Sequence, residues 1–260
     1  MKGPRNMRIS LPIIAVSLAA GSVAQAREQG HLAFVTCPIV QDTPTVPCWL
    51  AEYRGVTYYM GIQSDVSAEF NPPSLGHKVL VEGTVTDRKV CGATVIDPIK
   101  ISIMPELSPE CEQMRPVREG IDLGFKPPRP PGPSNGRLAF SYPAPPPVPK
   151  PPYEPKTYVV PYDFEGMVGF RTPRVMTPAL NYAQLSHAGT IEVKGYRGAT
   201  RLSDGTLLKE HKGIAHERAE EIANMFRGAG LEKVKFIVTA DERAAEGGPK
   251  NRRVEIRVVP

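Results

Sequence analysis

Apolar positions recur at two different periods along this chain, and the change of period divides it. From residue 30 to about 116 the period is two. LAFVTCPIV, WLAEYRGVTYYMGIQ, HKVLVEGTVTDRKV and IKISIMPEL are β-rich runs, and in the third Val79, Val81, Gly83 and Val85 alternate with Leu80, Glu82 and Thr84. That is the pattern of a strand interrupted at a glycine. Arg54-Gly55 reads as a turn. Several short strands with little helical pattern predict a small all-β domain, a closed or half-closed barrel of OB-like type. Trp49, Tyr53, Tyr58 and Tyr59 are expected to be its core and edge residues, since nothing charged converges on them as a ligand platform would require.

After residue 157 both periods appear. YVVPYDFEG reads as a strand and TPALNYAQLSHAG as a helix, with Thr177 as N-cap and Pro178 at the first helical position. TIEVKGY is a strand with Ile191, Val193 and Gly195 on one face. Residues 210–228 follow the helical period: Ala215, Ala219, Ile222, Phe226 and Ala229 form a stripe, and Glu217, Glu220, Glu221 and Asn224 lie opposite. Gly228 and Gly230 end that pattern. KVKFIVTA and RRVEIRVV supply two more strands; in the last, Val254, Ile256 and Val258 oppose Arg253, Glu255 and Arg257. The order β-α-β-α-β-β predicts a sandwich with two helices on one sheet face, and makes the whole chain α+β. Arg218 interrupts the pattern, lying between Ile214 and Ile222 at the edge of the apolar stripe. A guanidinium there requires a carboxylate partner within the fold or a ligand.

Composition changes the picture in three places. The chain holds 29 prolines in 260 residues, concentrated in residues 117–156, which read as an extended polyproline spacer able to hold two domains several tens of ångströms apart. The first 26 residues combine Lys2, Arg5 and Arg8 with an apolar run and Ala24-Gln25-Ala26, the form of a cleaved secretory leader. The run is shorter than a membrane span requires. Those three cations are part of a net charge of +5, so the remainder carries only +2, too near neutral to indicate a nucleic-acid partner. Cys37, Cys48, Cys91 and Cys111 all lie in the β-rich part, and an even count behind a leader predicts disulfides. Local bridges Cys37–Cys48 and Cys91–Cys111 are the expected pairing of three possible ones. No enzyme signature stands out, and no cofactor or metal site is expected. His211 and His216 are not spaced as metal ligands on one helix face, and no GxSxG is present.

Three features then come in a telling order: the strand ending Gly195-Tyr196, the helix bearing Arg218-Ala219, and the terminal Asn251-Arg252-Arg253-Val254-Glu255 strand. Together they resemble the OmpA-like domain, the peptidoglycan-binding module of Gram-negative envelopes, over roughly residues 158–259. The resemblance implies a periplasmic protein, cell-wall or outer-membrane associated, that holds the peptidoglycan stem peptide without covalent attachment. In that family an aspartate after the second strand and the helix arginine hold the zwitterionic diaminopimelate group, a carboxylate taking its ammonium and a guanidinium its carboxylate. Arg218 stands at the arginine position. The family's Gly-His-Thr-Asp is here Gly195-Tyr196-Arg197-Gly198, without the acid. The family's asparagine before the arginine appears as His211, and Asp204 lies near the distance from which a folded-back loop would replace the missing carboxylate. The implied ligand set is thus Arg218, Asp204, Tyr196 and His211. The alternative is a structural or protein-interaction envelope protein whose OmpA-like domain has lost peptidoglycan binding, with the β-domain (residues 27–116) facing another envelope protein.

Overall fold

The computed structural model describes residues 30–62, 74–121, 147–167 and 172–260. The leader, residues 1–26, and the larger part of the proline-rich stretch, residues 122–146, lie outside the described residues. What is described is a mixed α/β protein, mostly strands, with two sheets, two α-helices and two disulfides.

The first sheet has seven strands: β1 (His31–Thr36), β2 (Pro38–Gln41), β3 (Cys48–Tyr53), β4 (Val56–Ile62), β5 (His77–Val90), β6 (Ala93–Leu107) and β7 (Gln113–Arg115). Their order is β1-β5-β6-β4-β3-β2-β7, an open path. The β3–β4 hairpin turns at Arg54-Gly55, as expected, and the β5–β6 hairpin turns at Cys91-Gly92. Arg54 and Gly55 have φ of 50° and 75°, and Cys91 and Gly92 have 52° and 72°. Consecutive left-handed residues of this kind match the twist of the strands they join. Phe34, Ala51, Tyr58, Met60, Val79, Val81 and Ile96 form the main core, with Trp49 and Tyr53 packed against it. Tyr53 stacks on Phe34 at 4.6 Å between ring centroids.

The disulfides are Cys37–Cys111 and Cys48–Cys91, not the local pairs expected from spacing. Sheet register explains the difference. β2 and β7 run parallel with Ile39 opposite Gln113, so the residues two positions earlier, Cys37 and Cys111, meet. Cys91 sits in the β5–β6 turn and reaches Cys48 at the start of β3. The bridges close loops of 74 and 43 residues, each worth about 4 kcal/mol on a chain-entropy account.

The second sheet comprises β8 (Lys156–Pro161), β9 (Thr190–Arg201), β10 (Leu207–Lys209), β11 (Lys235–Glu246) and β12 (Arg253–Val259), with helices α1 (Thr172–Leu185) and α2 (Ile214–Phe226). β12 lies between β9 and β8, antiparallel to both, and β11 runs parallel to β9. Val254, Ile256 and Val258 are fully buried against the helices, as the alternation requires. Gly195 permits the closest helix–sheet approach: a Cβ there would lie 1.8 Å from the Ala215 carbonyl oxygen of α2.

Three boundaries differ from expectation. α1 begins at Thr172, so Thr177 and Pro178 lie within it. Thr-Pro occurs at both 172–173 and 177–178, and burial of Met176 beside Ala179 extends the apolar face back by one turn, which selects the earlier pair. α2 begins at Ile214, after Gly213 with φ of 101°, which leaves Glu210 in the preceding loop. β9 continues through the Gly-Tyr-Arg-Gly stretch to Arg201 and turns back as β10.

The two sheets are in direct contact. Arg252, immediately before β12, is fully buried, and its guanidinium pairs with the Glu82 carboxylate of β5, which is 1% exposed. Thr200 of β9 joins them, accepting from Arg252 at 2.9 Å and donating to Glu82 at 2.8 Å. Phe164 N–H donates to Ser102 Oγ of β6 at 2.9 Å, and Ala33 and Ser203 exchange two hydrogen bonds. Arg252→Met strands the Glu82 carboxylate, and urea denaturation should show a loss of about 3–5 kcal/mol. Glu82→Met/Arg252→Met should recover most of that loss.

Candidate functional site

Arg218 is the fifth residue of α2 and is 0% exposed. Each of its guanidinium nitrogens has a partner within the protein. Nη2 donates to Glu210 Oε1 at 2.6 Å and to the Asp163 carbonyl at 3.1 Å. Nη1 donates to Glu210 Oε2 at 3.2 Å, and Nε to the Gly166 carbonyl at 2.8 Å. The guanidinium carbon lies 4.7 Å from the Tyr162 ring centroid. Burial pushes the Tyr162 phenol well above its usual range, against a smaller lowering by Arg218. A forked Arg–carboxylate pair with no exposure is the internal partnership that an arginine on an apolar stripe requires.

Glu210 is the residue that pattern reading misses. Read as the first residue of a helix, it lies instead before it, with both carboxylate oxygens on Arg218. It also accepts from Gly198 N–H at 2.7 Å and from Glu165 N–H at 3.0 Å. A Cβ on Gly198 would stand 2.6 Å from Arg252 Cγ and 3.4 Å from Glu210 Oε2. There is no room for an acidic side chain at 198, because Glu210 and Arg252 fill that space. The one sequence signal for this role is a lone acid eight positions before Arg218 in a stretch otherwise bounded by Lys209, His211 and Lys212.

The other expected residues divide. His211 joins the network: Glu165 accepts from its main-chain N–H and from Nδ1, and Glu217 lies 3.3 Å from Nε2. The hydrogen bond to Glu165 raises the His211 pKa above its ordinary 6.5, against a partial lowering by burial. Asp204 does not join. It is exposed in the β9–β10 turn, where its carboxylate accepts from Thr206 N–H at 2.8 Å, and that bond lowers its pKa. The hairpin aims toward the first sheet: Arg54 donates to the Ser203 carbonyl. Tyr196 does not join either. Gly195 faces α2, so its neighbour points to the opposite face of the sheet. There the Tyr196 hydroxyl donates to Glu255 at 2.8 Å, and Arg253 stacks over the ring at 4.0 Å. Burial, then the bond to Glu255, raises its pKa.

Arg197 anchors the loop rather than facing a ligand, donating to the main-chain carbonyls of Glu210 and Glu242. The Glu242 carboxylate accepts from Gly213 and His216 N–H groups at the start of α2, where a negative charge is favoured. The protein thus supplies its own anions to both cationic features of this region, the Arg218 guanidinium and the α2 N-terminus. Among the described residues no group of His, Cys, Asp and Glu is placed to hold a metal ion.

Comparison with protein-family models, characterised proteins and solved structures finds no match to this chain.

Two outcomes follow from this geometry. Arg218→Met leaves Glu210 buried without its cation and should cost about 3–5 kcal/mol, whereas Arg218→Met/Glu210→Met should be far milder; denaturant midpoints separate the two. A folded-state pKa raised above the unfolded value stabilises below the unfolded pKa, and the contribution disappears as pH rises through the folded one. Stability supplied by His211 should therefore be present below about pH 6.5 and decline above it. The difference between wild type and His211→Gln, measured across that window, should follow this course.

Proposed function

We propose that this chain is an exported cell-envelope protein whose C-terminal half is a diverged OmpA-like domain. In its docked form that domain serves as a structural and protein-interaction module, not as an open peptidoglycan receptor. The observation that carries this is the internal partnering of Arg218, whose three guanidinium nitrogens all donate within the protein. The side chain that the family resemblance assigns to ligand carboxylate has no exposure and forks onto Glu210. The supporting features are the order β-α-β-β-α-β-β, which is the expected order with one added hairpin strand, Arg218-Ala219 on its helix and the terminal NRRVEI strand. Two disulfides fit an oxidising, exported compartment. Among the described residues no helix is long and apolar enough to cross a membrane. The expected Asp204–Arg218 pocket has no support in the geometry, because the acid facing Arg218 is Glu210.

The test is sedimentation of the full mature chain with purified sacculi. The wild-type chain is expected to stay in the supernatant. Pelleting that is lost in Glu210→Gln would replace this reading with that of an open wall receptor.

A further inference from the structure

Residues 162–167 join β8 to the region before α1, and five of them in succession hold something on two sides. Toward Arg218, Tyr162 supplies the ring beneath the guanidinium, and Asp163 and Gly166 supply carbonyls to it. Glu165 N–H donates to Glu210, while the Glu165 carboxylate takes His211. Toward the first sheet, Asp163 pairs with Lys100 of β6 at 2.5 Å, and Phe164 N–H donates to Ser102. The Phe164 ring is 2% exposed, with the Arg252 guanidinium carbon 5.8 Å from its centroid. Glu165 is held at φ of 55°, a conformation uncommon for a residue with a side chain.

The segment therefore covers the Arg218–Glu210 pair and is itself held down by the other sheet. We propose that residues 162–167 are an autoinhibitory strap: docking of the β-domain presses them over the Arg218–Glu210 pair, and undocking opens that pair to a ligand carrying a carboxylate beside an ammonium group. The inference rests on the OmpA-like reading for the ligand class, but the strap itself rests on contacts alone. The chemistry of the opened pair is complementary to a zwitterion, since a guanidinium takes the ligand carboxylate while the released glutamate takes the ammonium. The covalent link does not prevent undocking. The chain from Pro116 to Pro155 connects the sheets, and at about 3.3 Å per extended residue it spans far more than the gap opened. Among the described residues the polar docking contacts are two ion pairs and a few hydrogen bonds, with Phe164 buried beside them, and polar contacts of this kind let domains move.

The experiment measures arginine accessibility in the full chain by phenylglyoxal labelling and peptide mass spectrometry. Wild-type Arg218 should be protected. Lys100→Glu/Ser102→Ala removes both polar holds on the strap from β6 without touching Arg218 or Glu210. Glu82→Gln weakens the clasp independently, and mapped disulfides with native circular dichroism confirm that each variant is folded. Arg218 labelling should rise about tenfold or more in both, as local opening does. Protection of Arg218 unchanged in both folded variants overturns the strap. The labelled-accessible variants are then offered isolated sacculi: sedimentation that free diaminopimelate competes away supports the zwitterion ligand. Exposed Arg218 without sedimentation overturns that ligand while leaving the strap in place.

Discussion

The Glu82–Arg252–Thr200 contact is the interaction on which the arrangement of this molecule depends. Each partner is expensive to bury alone, and together they are tolerated because the geometry is forked and Thr200 bridges the two side chains, although Arg252 Nε is left without a partner. Arg252 immediately precedes β12, an interior strand of one sheet, and Glu82 lies on β5, an interior strand of the other. Their pairing therefore decides that two independently cored sheets lie against one another. The same arginine fills the space above Gly198 and offers its carbonyl to Tyr162 N–H. Through those two contacts it shapes the surroundings of Arg218 as well. A polar contact of this type contributes more to register and orientation than to net stability.

The two fully buried arginines act in different ways. Arg252 joins the sheets, whereas Arg218 organises a loop region inside one of them. Around Arg218 every anion is internal: Glu210 on the guanidinium, Glu242 on the helix start, Glu165 on His211. A surface that recognises an anionic or zwitterionic ligand must leave cationic groups incompletely satisfied. Here they are satisfied, and the question of function becomes one of what displaces the internal anions. Segment 162–167 lies at the centre of that question because its carbonyls and its acid serve both the arginine and the histidine.

The sheets and helices were legible where burial is one-sided. The alternation in β12 and the stripe Ala215, Ala219, Ile222, Phe226 placed both elements on their core faces, whereas the close approach of α2 at Gly195 was not legible. Local punctuation was less informative. Two Thr-Pro pairs compete for the start of α1, and only the burial of Met176 separates them. The disulfide pairing was illegible because it follows from a parallel contact between β2 and β7, strands far apart in the chain. Arg218 was legible as an anomaly that needed a partner, but Glu210 was not, since a charged residue next to a helix pattern usually faces water. Asp204 had a plausible distance along the chain, yet a β-hairpin turns it toward the other sheet. Arg252 was visible as part of a motif, without any sign that its partner lies in the other domain.

The separation of 170 residues between Glu82 and Arg252 has a consequence for how the chain reaches this state. Arg252 follows Glu82 by 170 residues, so synthesis delivers it long after β5. Until then β5 exists with a lone carboxylate that has no cation to face and must stay hydrated. The first sheet therefore completes itself, bridges included, in a form whose docking surface is still wet. Only when the final strand is laid between β8 and β9 does that water leave. The joining of the two halves thus waits for β12, and it follows the formation of the first sheet rather than accompanying it.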